Sequence, residues 1–208
     1  MVMIWSGILI YWAHDVYGVR LGSITLLHFF PAKFYELFSM NSRLAEGMAW
    51  HFLFMWLFAI NGILYVLYTA ISGEWRHIVP GKSTIKEAVL VVLYDLKLSK
   101  VHPPKRKFNG AQQIAYTSVV FMGLGSLLTG LAIYKPIQVS WLTTLLGGYS
   151  TARFLHFWLT IGFCLFFVVH IVQVIRAGWN NFRAMVTGKE IVTPAAPKET
   201  TIVGEANG

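Results

Sequence analysis

Residues 154–175 read FLHFWLTIGFCLFFVVHIVQVI. The stretch holds no Lys, Arg, Asp or Glu, yet it carries two histidines, His156 and His170. A run of about 20 apolar residues is long enough for a helix to cross the hydrocarbon core of a membrane. The histidines are fourteen residues apart. Fourteen steps of ~100° end about 40° short of four turns, so both rings leave one helix face, ~21 Å apart along the axis. Ionisable side chains inside a span are costly and usually face a protein interior or a bound group. A third histidine, His51, sits near the start of another such stretch, GMAWHFLFMWLFAINGILYVLYTAIS at 47–72. Imidazole is the common axial ligand of haem iron. The simplest object built from these parts is a membrane helix bundle holding b-type haem.

The composition agrees. The chain has 208 residues, 56% of them hydrophobic and 12% charged, with mean hydropathy +0.57. Soluble domains carry about 25% charged residues, so this is an integral membrane protein. The net charge of +8 does not indicate nucleic-acid binding, because the basic residues cluster just outside apolar spans and read as topology signals. A single cysteine excludes an internal disulfide framework, and no C-x-x-C-H is present, so haem would be held without thioether links. Cys164, mid-span, reads as a small packing residue.

The sequence predicts an all-α, four-helix membrane bundle over residues 1–188, followed by a flexible tail at 189–208. Three full spans are expected at 47–72, 111–134 and 154–175, with Trp75, Trp141 and Trp179 at their edges, as interfacial Trp tends to be. The opening apolar segment, 1–13, is too short to span and lacks a signal-peptide pattern; it reads as the second half of a helix. Residues 73–110 carry eight Lys or Arg against three acids, and Arg176, Arg183, Lys189 and Lys198 follow the last span. The 73–110 loop and the tail should therefore be cytoplasmic, in a bacterial inner membrane. Residues 14–46 are balanced, three basic against three acidic, and should face outward. FPAKFYELF within them suggests a surface helix. Residues 83–98 suggest another on the inner side, or equally a packed loop helix.

The two halves of the chain echo one another. Ser6-Gly7-Ile8-Leu9-Ile10-Tyr11 resembles Thr129-Gly130-Leu131-Ala132-Ile133-Tyr134. His51 lies 22 residues before Gly73, and His156 lies 22 before Gly178. This pattern suggests one helix pair used twice in parallel orientation. His51 and His156 would then lie at the same depth and clamp one iron. His170 would lie near the inner end of its helix, where its partner would have to come from the inner half of the first helix, a part not in this sequence. Alternatively, one haem is bound and His170 is hydrogen-bonded in the core.

These features resemble the prokaryotic b-type cytochrome family that includes the membrane subunits of nickel–iron hydrogenases, formate dehydrogenases and thiosulfate reductases. The carrying residues are His51, the His156/His170 pair, and Phe108-Asn109-Gly110-Ala111-Gln112 opening the third span. The resemblance implies four helices around two haems, with electrons passing between a peripheral metalloprotein and quinone. It implies that His51 and His156 ligate the outer haem and His170 one side of the inner haem, and that Asn109 and Gln112 lie near a quinone pocket. The family's first helix opens with a histidine, and this chain begins after that point; a truncated gene model is the expectation. Haem propionates need cationic partners, for which Arg153 is the outer candidate, with Arg43 and Lys135 as helpers, and Arg176 is the inner one. Bis-histidine iron has no open position and favours outer-sphere electron transfer. Substrate chemistry would then belong to a partner: a molybdenum, nickel–iron or iron–sulfur subunit of a respiratory oxidoreductase. Two other readings stand beside this one. One is a stand-alone membrane oxidoreductase passing electrons between quinone and a small oxidant such as superoxide. The other is a haem-free scaffold or transporter.

Overall fold

The computed structural model describes residues 1–11, 18–21, 24–102, 107–189 and 191. His14 and the predicted tail from residue 192 onward lie outside the described residues. The chain divides into two units, 1–166 and 167–208.

The architecture is that of an all-α membrane bundle. Helix α1 (Val2–Tyr11) is followed by strands β1 (Gly18–Leu21) and β2 (Ile24–His28), then by helices α2 (Ala32–Leu37), α3 (Leu44–Ser72), α4 (Trp75–Ile78), α5 (Thr84–Asp95), α6 (Gly110–Tyr134), α7 (Ser140–Leu145), α8 (Tyr149–Ala177) and α9 (Trp179–Thr187). The two strands form a small antiparallel hairpin with a register break between Val19 and Arg20; the sequence pattern did not predict it. Helix α8 begins in the first unit and ends in the second.

Three helices are long and apolar enough to cross a membrane: Leu44–Ser72, Gly110–Tyr134 and Tyr149–Arg176, with mean hydropathies of 1.8, 1.6 and 2.2. On α3 an apolar stripe at helical spacing, Leu53, Leu57, Ile60 and Leu64, is exposed along its length. Such a stripe is unfavourable in water and suits hydrocarbon. With 10 residues, α1 is only ~15 Å long, as its short apolar run predicts.

In the first unit, α1 packs antiparallel against the start of α3. Gly47 sits at the closest approach. A Cβ there would lie 2.7 Å from Leu9 Cβ and 3.1 Å from the Ser6 carbonyl, so only a bare position lets the two backbones meet, the small-residue device of membrane helix pairs. Ser6 and Leu9 are fully buried at this contact. Helix α6 meets the first half of α8 through Gly125, which faces Leu159, and through Met122, which faces Gly162. The aromatic rings of Phe58 on α3 and Phe163 on α8 meet edge to face at 6.2 Å. Helix α7 folds over the turn between α6 and α8, burying Leu142 with Ala132 and Ala152.

At the far end of α3 and α6 the basic loop is tied down. Asn109 and Gln112 form a capping box at the start of α6, which satisfies donors that a helix N-terminus leaves unpaired. Gln113 accepts from the Thr84 hydroxyl at 2.9 Å and donates to the His77 carbonyl at 2.9 Å, while Thr117 donates to the Ile78 carbonyl at 3.0 Å. Of the two readings of residues 83–98, the packed loop helix is the one observed: α5 lies on α6 so closely that a Cβ on Gly110 would meet the Thr84 carbonyl at 2.6 Å. Lys107 bridges to Glu74 at 2.6 Å, and this contact holds the Glu74 carboxyl below the usual carboxylate range.

Candidate functional site

The site lies in the first unit, near the start of α3. His51, on the second turn of α3, and His156, on the second turn of α8, face each other with ring centroids 6.2 Å apart and ring planes 70° apart. The distance is informative. With metal–imidazole bonds of ~2 Å, two rings on one axial line through a metal put their centroids about 6 Å apart.

The ring nitrogens are differentiated. Nδ1 of His51 lies 3.0 Å from Ser6 Oγ on α1, and Nδ1 of His156 lies 2.9 Å from Thr129 Oγ1 on α6. Each hydroxyl also reaches a backbone carbonyl of its own helix: Ser6 donates to Met3 O at 3.1 Å, and Thr129 to Gly125 O at 2.6 Å. A hydroxyl has one proton to give. With that proton committed to the carbonyl, the oxygen accepts from Nδ1–H of the histidine. This bonding pattern favours the tautomer with Nδ1 protonated and the Nε2 lone pair available, the form in which imidazole binds a metal.

A cavity of about 560 Å³ opens at the pair, lined among others by Gly7, Met48, Phe58, Gly130, Tyr149 and Arg153. It falls within the ~300–1,000 Å³ of small-molecule and cofactor pockets, and its mostly apolar wall with a few polar groups has their usual character. Gly7 and Gly130 leave the ring edges bare. A Cβ on Gly7 would meet His51 Cε1 at 3.7 Å, and one on Gly130 would meet His156 Cε1 at 3.3 Å. Arg153 supplies a guanidinium at the cavity wall and lies over the Tyr149 ring. Beside the pair, Phe157 is buried between Tyr11 and Phe29, in edge contacts of 5.3 Å each. Among the described residues no group of three His, Cys, Asp or Glu gathers to hold a bare ion. Two opposed imidazoles are instead the donor set for a metal whose equatorial plane is supplied by a macrocycle, and a largely apolar cavity with a cation at its wall suits a porphyrin and its propionates. The residues present fit a haem.

The remaining sequence-predicted residues divide. Arg153 joins the histidine pair at the cavity. Arg43 forms a fork with Glu46, at 2.8 and 2.6 Å, and lies over Trp5, so its charge is already engaged. Lys135 lies over the Tyr134 ring at 4.6 Å. Asn109 and Gln112 are placed at the other end of α6, capping it. His170 and Arg176 fall in the second unit, on the later turns of α8, where His170 is exposed.

Ser6 and Thr129 were not singled out by sequence reasoning as functional residues. The signal was present: they head the two matching segments, Ser6-Gly7 and Thr129-Gly130. In each copy the hydroxyl residue holds the histidine of the following long helix, and the glycine makes room for its ring.

Comparison with known proteins shows the family. The family model described as prokaryotic cytochrome b561 matches residues 1–188. The chain is 31% identical over 147 residues, 70% of its own length and 73% of the relative's, to a protein of Azospira oryzae named as a putative protein-methionine-sulfoxide reductase subunit, YedZ1. No solved structure matches. The chain belongs to the prokaryotic cytochrome b561 family and is a membrane protein of the b-haem type.

Proposed function

We propose that His51 and His156 are the two axial ligands of a b haem, and that the chain is the membrane electron-transfer subunit linking the quinone pool to a peripheral metalloenzyme. The observation that carries this reading is the opposed ring pair at 6.2 Å with both Nδ1 atoms taken by hydroxyls. When bound, the haem supplies one-electron exchange without an open coordination position. The chain's own residues do the rest. Ser6 and Thr129 orient the ligands, Arg153 pairs the propionates, and Phe157, Tyr11 and Phe29 keep water from the iron's surroundings, which is one control on its potential.

The excess of Lys and Arg in the 73–110 loop supports a topology with the capped end of α6 on the cytoplasmic side and the histidine pair toward the outer face. The capping bonds of Asn109 and Gln112 use their side-chain oxygens, so their amide NH2 groups are the donors a quinone carbonyl would take. By family resemblance His170 is one side of a second haem, with Arg176 for its propionates. The relative is named as a reductase subunit, and a reductase consumes electrons. Flow therefore runs from quinol through this chain to a catalytic partner of the molybdenum, nickel–iron or iron–sulfur class.

The experiment is to purify the protein from its native membrane and add a reduced quinone analogue anaerobically. The expected result is a Soret band, sharp reduced b-type bands that grow on quinol addition, and a co-purifying metalloprotein. A colourless protein would overturn the haem reading, and a haem that quinol cannot reduce would overturn the quinone link.

A further inference from the structure

Most ligand histidines are held by whatever carbonyl or carboxylate lies behind them. Here the support is built twice from the same parts. Ser6 and Thr129 occupy corresponding positions of the two repeated segments, each on the helix before its histidine's helix, and their contacts to Nδ1 are 3.0 and 2.9 Å. Each hydroxyl is locked in turn by its own helix's carbonyl, Met3 O for Ser6 and Gly125 O for Thr129. Neither side chain has room to turn away: Ser6 is fully buried and Thr129 is 3% exposed. The adjoining glycines bring α1 and α6 against the rings.

We propose that Ser6 and Thr129 are positioning residues that fix the tautomer and the rotation of the axial histidines, and so hold the two imidazole planes 70° apart. This rests on the reading that His51 and His156 ligate a haem. The rotation matters because each axial imidazole interacts most strongly with the iron d orbital perpendicular to its ring. Parallel rings act on the same orbital and split the pair; rings near a right angle act on both and leave them nearly degenerate. A hydroxyl accepting from Nδ1–H also makes the ring a more basic ligand, which favours the oxidised iron and lowers its potential.

The test is low-temperature electron paramagnetic resonance, with a redox titration, on the oxidised haem-loaded protein. In the wild type the expected signal is a single strongly anisotropic low-spin line at low field, the signature of crossed axial planes. Thr129→Val keeps the volume and removes the hydroxyl; Ser6→Ala does the same for His51 with the loss of one atom. Each is expected to keep the haem but convert or broaden the signal toward the rhombic three-line form and to shift the midpoint potential upward. Thr129→Ser, which retains the hydroxyl, is expected to restore both. A rhombic wild-type signal would overturn the proposal without recourse to any variant. So would an unchanged line shape and potential in haem-loaded Thr129→Val and Ser6→Ala. A wild type without haem would instead overturn the ligation reading beneath it, an outcome distinct from either.

Discussion

The Oγ1 of Thr129 lies 2.9 Å from Nδ1 of His156, and the Oγ of Ser6 stands in the same relation to His51 at 3.0 Å. One helix carries the hydroxyl and a glycine; the next long helix carries the histidine. Repeated once, the unit brings two imidazoles to one cavity with their ring planes 70° apart. The two similar segments each bring one hydroxyl and one glycine against the histidine of the next long helix.

That packing depends on Gly47, one turn before His51. Because its Cβ would meet Leu9 Cβ at 2.7 Å, Gly47→Val forces α1 off α3 and takes Ser6 away from His51. The expected cost is about 1–3 kcal/mol, as for other overpacked interiors, seen as a lower temperature for loss of the Soret band. Gly7→Ala, whose Cβ would make only ordinary contact at 3.7 Å, is expected to leave that temperature nearly unchanged. Equal behaviour of the two variants would show that α1 does not bear on the site.

Arg153 provides the positive charge at the cavity wall. A cation beside the propionates opposes the extra positive charge of oxidised iron and so raises the potential. Arg153→Gln is expected to lower the midpoint potential and to weaken haem retention by about 1.5–3 kcal/mol, the range for a hydrogen bond to a charged group. Arg153→Lys should recover part of each. A redox titration and a haem-transfer assay to apomyoglobin measure the two effects, and an unchanged potential in Arg153→Gln would remove the residue from the site.

The ion pair of Glu74 with Lys107 gives a pH dependence at the opposite end. The Lys107 ammonium holds the Glu74 carboxyl below its ordinary value. A depressed carboxylate stabilises the folded form fully above its unfolded value of ~4.3, and the contribution disappears as pH falls through the lower folded value. The pair is solvent-exposed, so the effect is local. The protection of the amides at residues 74–78, taken relative to their intrinsic exchange rate at each pH, is expected to fall on acidification below that range in the wild type, and to be already low at neutral pH in Glu74→Gln. Indifference of these amides to the substitution would contradict the tie.

Part of the fold is legible in the sequence. The spans could be read because crossing a hydrocarbon core demands a length and an apolarity that few other structures need, and α1 could be read as too short on the same measure. The histidines stood out because an imidazole within Phe154–Ile175 is costly unless used. Ser6 and Thr129 were hidden for the converse reason: a hydroxyl in a membrane helix satisfies itself on the carbonyl one turn back, as both do here, so nothing in the sequence demands a second partner. Arg43 reads as a helper for the propionates, and the spacing to Glu46, three residues on, also brings opposite charges together as observed. Asn109-x-x-Gln112 points by resemblance to a quinone pocket, and its spacing also spells the capping box observed. The hairpin at 18–28 is too short to show a clear alternation.

The central claim is that the rings of His51 and His156 share one iron. The most direct measurement is haem content per polypeptide with the reduced optical spectrum, compared among the wild type, His51→Ala, His156→Ala and His170→Ala. The account predicts a b-type haem in the wild type whose characteristic bands disappear in both His51→Ala and His156→Ala and persist in His170→Ala. Full haem content with an unaltered spectrum in either His51→Ala or His156→Ala would contradict it.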